Sequence, residues 1–208
     1  SAADIVDFLK TGRTDTTAAF GAMAEVVEHS TQYMTDADLY AMAAYLKTLS
    51  PAPGEDVSLP AKQDLTTQKL LDGVYDSRGA LLYVEYCLAC HRADGKGVPR
   101  IFPALEGNSA VYSNEPHSVL QITLSGGRMP DTPHDRMAFS MPAFDTLADA
   151  DIAEVVNYIR NSWTNQASEV TVEDVVAMRS FLSKKPRVGT DLPPDLSLPV
   201  NAQGVDNE

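Results

Sequence analysis

The sequence predicts an all-α protein. Apolar residues recur at helical spacing in two matching stretches, Gly and Pro clusters separate helix-length segments, and nothing reads as a strand of consequence. The chain has 208 residues, 44% of them hydrophobic, which leaves room for one or two small domains with a core.

The matching stretches organise the chain. Asp38-Leu39-Tyr40-Ala41-Met42-Ala43-Ala44-Tyr45-Leu46 aligns without a gap with Asp151-Ile152-Ala153-Glu154-Val155-Val156-Asn157-Tyr158-Ile159. Leu39, Met42, Ala43 and Leu46, like Ile152, Val155, Val156 and Ile159, follow i, i+3, i+4, i+7, one face of an amphipathic helix. Upstream, Leu9-Lys10-Thr11-Gly12-Arg13 answers Leu124-Ser125-Gly126-Gly127-Arg128 in the same order and at similar separation. Residues 1–50 therefore read as the C-terminal half of a domain whose complete copy follows, so the chain is expected to begin inside that upstream domain. The stripe of Leu39, Met42, Ala43 and Leu46 then needs cover, expected from the downstream domain or from a second copy of the chain.

Pro51, Pro53, Gly54 and Pro60 mark a linker over 51–66. From Leu65 to about Ala89 the chain looks helical, broken at Asp76-Ser77-Arg78-Gly79, and Gly95 to Asn108 reads as loop. A helix is expected from near Asn114, with Glu115 and Pro116 in its first turn, to a stop at Gly126-Gly127. A final core helix covers Asp149 to Ser162. One further helix spans Glu169 to Lys185, with Thr171 and Asp174 as a capping box and Val175, Met178 and Leu182 on one face. Pro193, Pro194 and Pro199 point to an extended tail completing 169–208.

Both cysteines lie in Cys87-Leu88-Ala89-Cys90-His91, the C-x-x-C-H pattern that attaches c-type haem. On one helical turn the two thiols can form thioether bonds with the porphyrin vinyl groups, with His91 beneath the iron as axial ligand. Rival readings fit less well. Zinc needs four ligands, and no second pair is present. A redox C-x-x-C belongs beside a βαβ pattern, and a disulfide across so short a loop would stabilise almost nothing. One covalent haem c is expected, making 67–168 a complete mono-haem domain.

The sixth ligand sets the chemistry, because a thioether favours Fe(II) relative to a second imidazole. Met129, Met137, Met141, His117 and His134 are the candidates. Met141 is the choice: it lies in Phe139-Ser140-Met141-Pro142-Ala143-Phe144, and Pro142 restricts it to extended backbone that presents its side chain from a loop. Met129 lies so close to Gly127 that it is expected at the helix end. Met23 corresponds by the repeat but has no iron to bind, and reads as packing. Tyr83, Tyr158 and Trp163 read as core, Trp163 alternatively as part of an electron route. Arg128 reads as a solvated charge or as the partner of a haem propionate, and His29, His117 and His134 as surface.

The net charge of −13 argues against nucleic acid as a partner. It suits solubility, or steering towards a basic partner face. No apolar run approaches the ~20 residues of a membrane span. Haem attachment of this kind occurs outside the bacterial cytoplasm, so a leader is expected either to have been removed or to lie upstream of the residues given.

From about residue 79 to 163 the chain resembles a class I cytochrome c domain. The resemblance rests on Gly79 and Tyr83 before the cysteine motif, Phe102-Pro103-Ala104-Leu105 after it, Met141-Pro142, and Tyr158 in the last helix. It implies that the Pro103 carbonyl accepts a hydrogen bond from the His91 ring, that Leu105 packs on the porphyrin, and that first and last helices cross near the glycine. Gly127-Arg128, Ser140 to Phe144, Tyr158-Ile159-Arg160-Asn161-Ser162-Trp163 and the tandem repeat extend the resemblance. They are similar to the C-terminal part of the tri-haem cytochrome subunit of membrane-bound alcohol and sugar dehydrogenases.

That likeness implies an electron-transfer subunit, not a catalytic one, receiving electrons from a flavoprotein or quinoprotein subunit and passing them to ubiquinone or another cytochrome. It implies a periplasmic location with peripheral membrane contact; separately, the basic end Lys184, Lys185 and Arg187 after the last helix is expected to touch the membrane or the partner. The alternatives are a peroxidase-like haem enzyme with a displaceable sixth ligand and a haem-based ligand sensor. Two departures from the pattern stand out: a single haem motif, and Ala148 where Ser or Thr would cap the last helix, unless Thr146 or Asp149 substitutes.

Overall fold

The computed structural model describes residues 1–50 and 62–184. The prolines of the expected linker, the basic residues Lys185 and Arg187, and the expected tail lie outside the described residues.

Helices account for about half of the described residues, and several begin at a residue whose side chain caps the first turn. The N-terminal unit contains α1 (Ala2–Thr11), α2 (Ala22–His29) and α3 (Asp36–Leu46). The Thr35 hydroxyl accepts from the Asp38 amide and caps α3. Here the structure corrects one expectation. Leu39 and Ala43 of the apolar stripe are buried against Val6 and Leu9 of α1, within the same unit, with Met23, Met34 and Met42 packed around them. Leu46, at the end of the stripe, remains 44% exposed.

The second unit runs through α4 (Thr66–Leu71), α5 (Arg78–Tyr86), α6 (Leu88–His91), α7 (Ser109–Tyr112), α8 (His117–Ser125), α9 (Asp149–Arg160) and α10 (Val172–Lys184). Two two-residue strands, β1 (Gly127–Arg128) and β2 (Ser140–Met141), pair antiparallel with Gly127 opposite Met141. The stretch expected to be helical into the cysteine motif is interrupted at Cys87, the residue between α5 and α6. Helix α8 begins at His117, later than the expected start near Asn114, so Pro116 is its N-cap and Glu115 lies outside its first turn. The short α7, within the region between the loop and α8, carried no strong sequence signal.

The core forms where α5 crosses α9. A Cβ on Gly79 would stand 2.7 Å from the Cβ of Tyr158 and still closer to the Glu154 carbonyl oxygen, so the two backbones meet only because residue 79 has no side chain. Next to this crossing, the Tyr83 ring lies 5.6 Å from Tyr158 and 5.5 Å, edge to face, from Trp163. Leu82, Leu120, Ile152 and Val156 close the cluster.

No side chain caps the N-terminus of α9 at Ala148, so neither Thr146 nor Asp149 takes the place of a hydroxyl cap. Helix α10 buries Val175 and Met178 in the same core. Reciprocal bonds between Thr171 and Asp174 open it, and Arg179 ties it to Asp149 and to the carbonyls of Asp145 and Leu147. No helix among the described residues is long and apolar enough to cross a membrane.

Candidate functional site

Between α6, α8, α9 and the strand pair lies a largely apolar cavity, and Cys87, Cys90, His91, Pro103, Leu105 and Met141 all line it. Met129 lines it as well, buried rather than left at the end of α8, with its amide donating to the Phe139 carbonyl at 2.9 Å. His117, His134 and Met137 lie at the surface, away from the lining. Two sulfurs therefore remain as candidates on this wall. Met141 is held by β2, and its carbonyl and the adjoining Pro142 pack closely against Gly126.

The cysteine turn is built for display. Cys87 ends α5, its amide donating to the Tyr83 carbonyl at 2.9 Å, and the His91 amide closes the following turn onto the Cys87 carbonyl at 2.9 Å. Both thiols are free. Burial pushes the Cys87 thiol up to about 12, with the neighbouring Cys90 adding to the effect. A thiol so strongly held in its protonated form is a poor redox nucleophile. Among the described residues no group of three or more His, Cys, Asp or Glu could hold a metal ion by itself.

His91 is buried, and its Nδ1 donates to the Pro103 carbonyl at 2.9 Å. Burial lowers its pKa, with the Pro103 bond opposing, so the ring is neutral near pH 7. With Nδ1 engaged, Nε2 is the nitrogen left to bind an iron, in the tautomer and orientation that ligation requires. The remaining walls are apolar, from Val111, Ile122, Val155 and Ile159, with Tyr86 and Phe144 stacked edge to face at 5.7 Å.

The loop between His91 and α7 is clasped from behind by Trp163, which the sequence places in the core, and by Asn165, which no motif marks. The Trp163 indole donates to the Ala93 carbonyl at 2.9 Å. Buried Asn165 donates to the carbonyls of Leu105 and Ile159 at 2.9 and 3.1 Å and accepts from the Gly107 amide at 2.9 Å. A second omission is larger: Thr17, Ala18, Ala19 and Phe20 of the N-terminal unit also line the cavity. No motif marks them. Arg128 lines it too, with its side chain largely exposed and 3.7 Å from Asp131.

Residues 77–163, which supply all of the cavity lining but Thr17 to Phe20, match the family model for cytochrome c. Cytochrome c-552 of Thermus thermophilus is 30% identical over 131 residues, which cover 87% of that protein and 57% of this chain. The chain belongs to the cytochrome c family. Membership implies a covalently bound haem c, and the cavity of this cytochrome fits one: paired thiols and an oriented imidazole on one wall, thioether sulfur elsewhere on the lining, apolar surface between.

Longer relatives match more of the chain. The cytochrome c subunit of a quinone-dependent alcohol dehydrogenase from Gluconobacter oxydans is 42% identical over 179 residues. That of a gluconate 2-dehydrogenase from Pantoea cypripedii is 39% identical over 179 residues. Each alignment covers 85% of this chain but only 37% and 40%, respectively, of the relative.

Proposed function

We propose that this cytochrome carries electrons through one haem c, which Cys87 and Cys90 would bind covalently and His91 and Met141 would hold through its iron. The observation that supports this most directly is the His91–Pro103 bond beside the two free thiols on an apolar wall. Haem supplies a one-electron iron couple whose potential follows ligand type and burial. The chain's residues do the rest: Pro103 orients the imidazole, Leu105 and the apolar lining exclude water, and the pairing of β2 with β1 fixes the Met141 backbone. Among the described lining residues there is no carboxylate and no histidine besides His91, so the acid/base pair of a peroxide-cleaving site is not provided.

Residues 67–168 form the haem domain in this reading, and residues 1–50 the C-terminal half of a second cytochrome c-like domain. Support comes from the correspondence of α1, Gly12-Arg13 and α3 with α8, Gly127-Arg128 and α9. The similarity to dehydrogenase cytochrome subunits extends the proposal. Electrons arrive from the flavin or quinone cofactor of a dehydrogenase catalytic subunit and leave for ubiquinone or another cytochrome, at the periplasmic face with peripheral membrane contact.

The test begins with matured protein. Its mass should exceed that of the polypeptide by one haem, and its oxidised spectrum should carry the weak Met–iron charge-transfer band. Met141→Leu should abolish that band and Met129→Leu should keep it. Loss of the band in Met129→Leu alone would transfer the ligand role to Met129, and a polypeptide of bare mass with two titratable thiols would sink the electron-carrier reading.

A further inference from the structure

We infer that Arg13, in the N-terminal unit, is a positioning residue for the His91 imidazole, acting through a hydrogen-bonded relay that crosses between the two units. The relay turns on one peptide group. The carbonyl of Pro103 accepts from His91 Nδ1 at 2.9 Å, and the N–H of the same peptide, that of Ala104, donates to the Thr16 carbonyl at 2.9 Å. Hydrogen bonds joined through one amide polarise each other, and second partners of this kind fix the ring orientation of a ligating histidine. Thr16 thus stands one step behind Pro103.

Thr16 is held in place by a small hairpin. The Ala19 amide donates to the Gly12 carbonyl at 2.7 Å, the Thr14 amide to Thr17 at 2.8 Å, and Arg13 pairs with Ala18. The far arm of this hairpin supplies the cavity lining at 17–20. Its anchor is Arg13, 1% exposed. Nη1 donates to the carbonyls of Arg100 and Met137 at 3.1 and 2.6 Å, and Nη2 to that of Pro130 at 3.0 Å. Nε lies 3.5 Å from the Asp135 carboxylate.

Asp135 also holds Arg100, at 3.1 Å, and Arg100 reaches back to Asp7 of α1 at 2.6 Å. Burial lowers the Arg13 pKa while Asp135 opposes, and a guanidinium stays charged through such a shift. A buried cation with this many carbonyl acceptors has one stable position, and the hairpin inherits it.

The inference rests on His91 being the axial ligand, a reading tested on the unaltered protein, whereas the relay is tested only in variants. In haem-loaded, reduced and therefore diamagnetic protein, hydrogen exchange is followed by NMR at the Ala104 amide, at His91 Nδ1–H and at core amides of α9. Arg13→Met should speed exchange at both relay protons about tenfold or more and leave the α9 amides unchanged, with Arg13→Lys in between. Acceleration at Ala104 without His91, or at neither, overturns the proposal. So does acceleration everywhere, which marks general loosening, or a shifted potential with exchange unaltered, which marks a simple effect of charge. Should Arg13→Met fail to fold, Asp135→Asn provides the same comparison: paired acceleration supports the relay and unchanged exchange at His91 rejects it.

Discussion

The indole of Trp163 lies so close to Gly95 that a Cβ added at the glycine would stand 2.5 Å from the ring. Gly95 has φ +65°, and its carbonyl accepts from the amides of Leu105 and Glu106 at 2.7 and 3.1 Å. Ring and glycine together hold the loop that carries Pro103. Trp163→Ala empties a fully buried site and removes the bond to Ala93, so it should destabilise the fold by roughly 3–5 kcal/mol. Chemical denaturation of the haem-loaded protein measures this. A loss below about 1 kcal/mol would mean that the loop stands without its clasp.

At Gly79 two effects oppose one another. Alanine would favour the helix by about 1 kcal/mol through propensity. Its methyl group, however, would press into the α9 backbone at Glu154 and Tyr158, where overpacking costs about 1–3 kcal/mol or more. The clash should win, and Gly79→Ala should lower the thermal midpoint.

Ala148 offers the opposite experiment. The start of α9 has acidic residues Asp149 and Asp151 in its first turn but no side-chain cap. Ala148→Ser should supply one and stabilise the protein by about 1 kcal/mol. A denaturation midpoint equal to that of the parent would show that the extended backbone there cannot bring the hydroxyl to the helix amides.

Tyr83 predicts an alkaline limb. Burial raises its pKa far above the usual phenol value, and its hydroxyl donates to the Arg92 carbonyl at 2.6 Å. In the unfolded chain the same phenol ionises near pH 10. Above that pH the unfolded state holds fewer protons than the folded state, so stability falls as pH rises. The contribution is complete below about pH 10, and Tyr83→Phe should flatten the slope above it. Denaturation midpoints between pH 9 and 11 test this, and parallel slopes would exclude Tyr83 as the source.

What the sequence reveals and what it conceals divides along local and distant interactions. The cysteine turn, the extended backbone at Met141 and the helices α3 and α9 with their buried faces are legible, because spacing along a few residues determines them. The cover over Leu39 and Ala43 was misassigned. Ile5, Val6 and Leu9 of α1 offer the same apolar chemistry as a separate domain would, and periodicity does not say which surface arrives. The cavity lining at Thr17 to Phe20 was invisible for another reason. Its docking runs through a backbone bond from Ala104 to Thr16, to which side-chain identity contributes nothing. Arg13 carries no signal beyond its place in the repeat, since only folding brings three remote carbonyls around it.

Those carbonyls belong to residues 87, 117 and 124 positions further along the chain. Until the chain is complete out to residue 137, the Arg13 guanidinium has no such shell and stays hydrated, so docking of this hairpin is a late, long-range step of folding.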